Sequence, residues 1–264
     1  MPIDNDIYNR IGETWWDETN PLNTLHGSMT PGRFGYFQEV LTEKLGTDYS
    51  GLQALDIGSG GGFLAEEFAK KGFDVVGVDP SEVSVETARA HAGEGGLDID
   101  YRVGVGEHLP VEDATFDVVY CCDVLEHVAD LGKTIGETAR VLKPGGLYLF
   151  DTVNRTMMSK LVMIKMFQEW RLTRLVNVDL HIFSMFIKPD ELNAILRQRG
   201  MSPGEIVGLG PKRPGPQFVM NLMRARRGKI TYGELSRRLD FGRIKSTVIS
   251  FMGYATKPIT TTAM

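Results

Sequence analysis

From Leu52 onward the apolar positions fall into short, dense blocks separated by amphipathic stretches. LQALDI (52–57), FDVVGVD (73–79), IDYRVGV (99–105), FDVVYCCDVL (116–125) and LYLFDTV (147–153) each read as a strand buried on both faces. Between them, GSGGGFLAEEFAKKG (58–72), SEVSVETARAHA (81–92) and the segment from Asp130 to Leu142 carry helical spacing. Ser81 is a natural N-cap for the second of these helices, and the KPGG that follows Leu142 stops the third. Strands alternating with such helices specify a parallel sheet covered on both sides, and right-handed crossovers make it doubly wound. A helix over KPDELNAILRQRG (188–200), a strand near EIVGL (205–209) and a last strand in STVISFMGYATK (246–257) extend the pattern. The expectation is an α/β fold on a mostly parallel, seven-stranded sheet.

Three segments stand outside this rhythm. Residues 1–50 hold Trp15, Trp16, Pro21, Pro31, Phe34, Tyr36 and Phe37, with helical spacing from Arg33 to Leu45, and read as a helical lead-in. After Asn154 comes a Met-rich helical insertion, 155–187. Its segment 157–178 mixes Met157, Met158, Met163, Met166, Phe167 and Trp170 with Lys160, Lys165, Arg171 and Arg174. Apolar groups interleaved with bases suit either a helical lid or a helix lying on an anionic membrane surface. Residues 211–245 carry ten Lys/Arg against Glu234 and Asp240, and read as a solvated basic extension, with lipid headgroups or an acidic partner as the sharper option. The expected organisation is one domain over 1–264: lead-in 1–50, cofactor-binding core 51–154, insertion 155–187, and remaining core 188–258. The tail TTTAM is expected to be loose.

Composition narrows the setting. A chain of 264 residues with 42% apolar content can bury a real core, and a net charge of −5 argues against nucleic acid as a partner. The only cysteines, Cys121 and Cys122, are neighbours, which points to a reducing compartment without a disulfide framework. MPIDNDIYNR has no apolar signal core, and no stretch of about 18 uncharged apolar residues spans a membrane. A cytoplasmic location follows, at a membrane's inner face if the insertion docks there.

The strongest local motif is Asp56-Ile57-Gly58-Ser59-Gly60-Gly61-Gly62, set between a strand and a helix. Glycines let backbone turn tightly and approach a ligand at the carboxyl edge of the sheet. Asp79 ends the next strand, 21 residues after Gly58, where a carboxylate can accept two hydrogen bonds from a ribose diol. Gly60-x-Gly62-x-x-Ala65 also fits the looser dinucleotide fingerprint, so a nicotinamide cofactor competes with S-adenosylmethionine. The glycines begin directly after the Asp-Ile that ends the strand, and a clear second mononucleotide-binding half is missing; both points favour the methyl donor.

These motifs resemble those of Rossmann-like class I S-adenosylmethionine-dependent methyltransferases. The acidic-x-Gly-x-Gly-x-Gly pattern is matched by Asp56, Gly58, Gly60 and Gly62, and the acid ending strand two by Asp79. GEHLPVEDATFDVV and RVLKPGGLYLF are equally typical. Within that group the chain resembles the 3-demethylubiquinol O-methyltransferase (UbiG-like) family, through WWD (15–17), PGRFGYF (31–37), LDIGSGGGFLAEEFAKKG (55–72), DVLEHV (123–128), LKPGG (142–146), NR (154–155) and HIFSMFIKPDEL (181–192). The resemblance fades after about residue 210. It implies that Arg33 reaches the donor's methionine carboxylate, that Gly58 and its neighbours line the donor, and that Cys122 lies beside it. Relatives often bind the adenine amine with an acid two residues before the Glu107 position. This chain has Val105 there, which leaves backbone near Gly106 and Glu107 for that task.

The implied acceptor is a phenol or catechol, among them a prenylated quinone precursor. A phenol's pKa lies near 10, so it needs a base or a metal at neutral pH. Asp123, Glu126 and His127 follow strand four, and in a helical turn positions i, i+3 and i+4 share one face. The resemblance implies that this acid-x-x-Glu-His set binds a divalent ion such as Mg²⁺. A metal-free general base at His127, or a trio that only caps the next helix, are the other readings. His181, just before the FIKP stretch, is a further candidate for the acceptor pocket. Three alternatives stand beside this function: a small natural-product O-, N- or C-methyltransferase, an NAD(P)-linked oxidoreductase, and a donor-binding protein without catalysis.

Overall fold

The computed structural model describes residues 6–174, 180–212 and 215–259. Eight strands form one sheet: β1 (Gln53–Ile57), β2 (Asp74–Asp79), β3 (Ile99–Val103), β4 (Phe116–Cys122), β5 (Leu142–Val153), β6 (Ser202–Pro211), β7 (Phe241–Ile244) and β8 (Ser250–Thr256). Their order is β3-β2-β1-β4-β5-β8-β6-β7. The first five run parallel, whereas β8 lies antiparallel to both β5 and β6, and β7 antiparallel to β6. Described helices are α1 (Ile7–Ile11), α2 (Met29–Leu45), α3 (Phe63–Lys70), α4 (Glu82–Glu94), α5 (Leu131–Val141), α6 (Met157–Ser159), α7 (Pro189–Gln198), α8 (Pro216–Arg226) and α9 (Tyr232–Leu239).

The continuous apolar runs are explained by layers on both faces. Along β4, Val118, Tyr120 and Cys122 enter the core with Phe37, Leu41, Leu64 and Phe68 from α2 and α3. The alternate residues Val119 and Cys121 enter a second core with Ile135 of α5 and Leu192 and Leu196 of α7. A period of two with both sets apolar is the signature of a strand buried on both faces. Capping follows the sequence closely. Ser81 Oγ accepts from Ser84 N and opens α4, while Asp130 accepts from Lys133 N and opens α5. The KPGG expected to stop α5 lies within β5, where the register against β4 jumps from Leu142 to Leu147.

The sheet has one strand more than expected. β7 lies inside the basic extension, whose charges masked a short edge strand. A Cβ on Gly32 would collide with the Phe241 carbonyl, so glycine there lets α2 lie directly on β7. Covering an edge this way protects unpaired backbone groups. Nor is the extension simply a solvated face. Helices α8 and α9 form a hairpin around Leu222, Ala225, Ile230, Leu235 and Leu239, with Phe167 of the insertion packed against it. Arg237 pairs with Glu18 at 2.6 Å, Arg243 with Glu39 and Glu205, and Lys212 with Asp240, while Arg226 donates to the Arg171 carbonyl at 2.7 Å. Arg237 and Thr231 together pull the Glu18 carboxyl down to about 2. The hairpin thus fastens the lead-in on one side and the insertion on the other.

In the insertion, α6 runs into a π-helix, Lys160–Glu169, which Trp170 N closes onto the Lys165 carbonyl at 2.8 Å. The end of the Met-rich segment, 175–178, Arg213 of the extension and the TTTAM tail lie outside the described residues. Among the described residues no helix is long and apolar enough to cross a membrane.

Candidate functional site

At the carboxyl edge of β1, β2 and β4 the chain leaves a cavity of about 760 Å³. Its lining includes Arg33, Asp56, Gly58, Gly60, Asp79, Gly106, Glu107, Cys122, Asp123 and His127, ten of the residues singled out from sequence; Gly62, Glu126 and His181 are not part of the lining. The glycine turn is shaped by what packs on it. Gly58 has φ +77°, and a Cβ there would collide with Val124 from the loop after β4. At Gly61 a Cβ would lie 2.5 Å from Trp15, and at Gly60 3.1 Å, so these two glycines admit the lead-in's indole. Gly62, with φ +87°, instead makes room for the Tyr101 hydroxyl beneath α3.

Asp79 is buried and set in place by two backbone donors, Gly60 N to Oδ2 and Ser81 N to Oδ1, both at 2.9 Å. Burial raises its carboxyl, and the two N–H groups oppose that shift. Asp56 lies beneath, pushed up by burial and by Asp79. Val105 is exposed, and the Glu107 carboxylate is engaged by Ala129 N at 2.7 Å and Asp130 N at 3.2 Å. Glu107 therefore braces the entry to α5, which leaves backbone beside Gly106 facing the cavity. Burial keeps the Cys122 thiol protonated.

Acids and imidazoles gather around the loop after β4. Asp123 follows β4 with φ +55° and turns back towards Arg33. The Arg33 guanidinium is bonded to Asp123 through Nη2, and its Nε stands 3.0 Å from Asp151 Oδ2. Asp151, from the end of β5, also accepts from Asp123 N at 3.0 Å. No helix begins between the end of β4 and Leu131, so Asp123, Glu126 and His127 do not share a helical face as their spacing suggested. The structure instead brings His181 to Glu126 and His127, with one ligand atom of each lying within 4.8 Å of the others. The two imidazole rings are 5.1 Å apart. Burial lowers His127 to about 4 and His181 to about 3, so both are neutral near pH 7. Burial and Asp123 raise the Glu126 carboxyl; its Oε2 accepts from Thr152 Oγ1 at 2.7 Å, and its Oε1 has no hydrogen-bond partner among the described residues. Gln168 of the π-helix fixes His181 by accepting from its backbone N at 2.5 Å and donating to its carbonyl at 3.1 Å.

Asp151, Thr152, Gln168 and Tyr8, which lines the cavity from α1, were not singled out from sequence. Asp151 is an acid two residues before the end of an apolar strand, a weaker form of the signal that located Asp79; the others carry none. The lead-in is bolted on by Trp15 Nε1 donating to Ser84 Oγ at 3.0 Å and Trp16 Nε1 donating to the Gly61 carbonyl at 2.9 Å. Trp16 stacks on His91 at 3.4 Å, and His91 Nδ1 meets Glu66 at 2.5 Å.

Comparison with known proteins agrees with this geometry. Residues 55–150 match the family described as "Methyltransferase domain". Over 262 residues the chain is 34% identical to the ubiquinone biosynthesis O-methyltransferase of Maricaulis maris, covering 97% of this chain and 93% of the relative. It is 40% identical over 202 residues to the protein of the same name from a Caulobacter species, covering 74% and 79%. Among solved structures, the [4+2]-cyclase SpnF superposes with a TM-score of 0.63 at 20% identity, over 98% of this chain and 97% of that one, a likeness of fold alone.

Proposed function

Because the chain belongs to the ubiquinone biosynthesis O-methyltransferase family, we propose that it methylates a phenolic oxygen of a catechol-type, prenylated quinone precursor. Family membership answers the question left open by the glycine turn: the chain is a methyltransferase whose donor is S-adenosylmethionine. The observation that carries the acceptor reading is one cavity lined by both Asp79 and His127, with Glu126 and His181 gathered at His127.

The residues present fit both small molecules. The cavity is of ligand size. Asp79, with each oxygen already oriented by an N–H group, keeps lone pairs for a ribose diol. The orphaned Glu126 Oε1 beside two neutral imidazoles is a donor set for a divalent cation. Two nitrogens and one oxygen suit Zn²⁺, Mn²⁺ or Fe²⁺ better than Mg²⁺, which prefers oxygen and water. Bound here, the donor supplies an electrophilic sulfonium methyl, and a cation on Glu126, His127 and His181 would lower the pKa of a phenol. This chain's own groups do the positioning. Thr152 orients Glu126, Gln168 holds His181, and Arg33 keeps Asp123 and Asp151 from crowding the acceptor with negative charge. Turnover of catechol, read as a gain of one CH₂ on the product, is expected to fall at least about tenfold in EDTA and to recover more with Mn²⁺ or Zn²⁺ than with Mg²⁺. Turnover indifferent to EDTA would assign His127 the role of metal-free base.

The insertion supports a membrane-surface role for the same enzyme. Met157 and Leu172 are each 72% exposed, Trp170 is 50% exposed, and Met220 of α8 adds to the apolar surface. Lys160, Arg171 and Arg224 supply bases in the same segments. Such a face lies on anionic lipid. The protein is expected to float with phosphatidylglycerol vesicles and not with phosphatidylcholine vesicles, and Trp170→Glu with Leu172→Glu to abolish flotation. Equal flotation with both lipids would remove the electrostatic part of this reading.

A further inference from the structure

One group in the cavity comes from neither the glycine turn nor the loops after β4 and β5. Helix α1 buries Ile7 and turns the next residue, Tyr8, to the cavity. The Tyr8 ring is held in place. It stacks on Trp15 with centroids 6.0 Å apart and planes 5° from parallel. Trp15 is in turn fixed by its bond to Ser84 and by its seat on Gly60 and Gly61. Such stacking favours one ring position.

Tyr8 shares the cavity wall with Asp79, Asp123 and His127. Burial first, then Glu126, Asp123 and Asp79, raise its hydroxyl above the ordinary phenol range. A phenol held protonated cannot serve as a base, and it offers one O–H to whatever oxygen lies opposite. Gly60 N and Ser81 N are spent on Asp79. Asp123 and His127 line the cavity beside Tyr8, whose phenol adds an O–H donor that an acceptor oxygen can use.

We propose that Tyr8 holds the methyl acceptor, donating its hydroxyl hydrogen to an oxygen of the bound phenol, and so makes the lead-in part of the acceptor-selecting machinery. This rests on the phenol reading above. Tyr8 takes no proton and forms no bond in the transfer; its contribution is to place the acceptor oxygen against the sulfonium methyl and to favour acceptors with an oxygen within its reach.

The test uses the full chain, with catechol as acceptor at saturating S-adenosylmethionine. Tyr8→Phe keeps the ring and its stacking but removes the donor. It is expected to raise the KM for catechol about 3- to 10-fold, the worth of one neutral hydrogen bond, with kcat within about twofold. S-adenosylhomocysteine affinity by calorimetry and the melting temperature are expected to match the parent. Tyr8→Ala, which also loses the ring, is expected to raise KM further. An unchanged catechol KM in Tyr8→Phe would overturn the proposal. So would a parallel loss of S-adenosylhomocysteine affinity, because Tyr8 would then belong to the donor's roof. If the parent protein methylates no phenol at all, the phenol reading itself fails, an outcome visible before any variant is made.

Discussion

Replacing His127 by alanine is expected to lower kcat on catechol by about 10²- to 10⁴-fold, the range for losing a positioned acid, base or ligand. S-adenosylhomocysteine binding should stay within about twofold. The reason for the split is that the two groups come from different segments of the chain. The glycine turn and Asp79 are built from β1, β2 and their backbone donors. His127 sits in a single turn, closed by its own N on the Val124 carbonyl at 2.8 Å, in the loop after β4. Truncating it removes a side chain from that loop and leaves the glycine turn and Asp79 untouched. Both roles open to the imidazole need it neutral, and burial supplies that by lowering it to about 4. The roles part in a second measurement. If His127 is a ligand, excess Mn²⁺ recovers part of the variant's rate, because Glu126 and His181 remain. If it is a base, added imidazole recovers it instead. Undiminished turnover in His127→Ala would take the residue out of the reaction.

The glycine turn and Asp79 were legible from the chain as one cavity wall because their parts are local. A strand, a glycine run and a helix follow within about 20 residues, and Asp79 ends the next strand by the same rule. The cluster around His127 was only half legible. Glu126 and His127 stood out by type, yet their partner is His181, 54 residues beyond His127, delivered by a Gln168 that no pattern marks. Asp123 was grouped with them by helical spacing. Its left-handed backbone and the late start of α5 at Leu131 turn it to Arg33 instead. The hairpin α8–α9 and strand β7 were hidden for another reason. Their bases are matched by acids far away in sequence, Arg237 with Glu18 and Arg243 with Glu39, so the segment carries an unbalanced local charge that only the fold compensates. Charge counted along the chain cannot reveal such pairs.

Arg33→Met is expected to cost about 3–5 kcal/mol of stability, the usual penalty for stripping the partner from buried charge, and to lower the melting temperature by about 6–15 °C on the scale for chains of this size. The Arg33 side chain is 5% exposed, Asp151 1% and Asp123 30%, so methionine leaves two close carboxylates without a cation in a nearly dry site. Burial opposes the charge on Arg33, yet Asp123 and Asp151 outweigh it and hold the guanidinium charged. Asp151 is the group that gives way. Burial and Asp123 already raise its carboxyl against the pull of Arg33. A carboxyl raised in the folded state holds a proton that the unfolded chain releases, so its contribution is lost as pH rises above the ordinary carboxylate range. Removing Arg33 raises Asp151 further, and the variant's deficit should therefore grow from pH 6 to pH 8. Asp123→Asn in the Arg33→Met background removes one of the two charges and is expected to restore about half of the lost stability. The same double variant separates structure from ligand binding. If Arg33 also grips the donor's carboxylate, as the family resemblance implies, S-adenosylhomocysteine affinity stays weak while the melting temperature recovers. Affinity that returns with stability would mean that Arg33 only neutralises its acids, and a melting temperature within about 2 °C of the parent for Arg33→Met alone would show that the trio does not hold this corner of the fold.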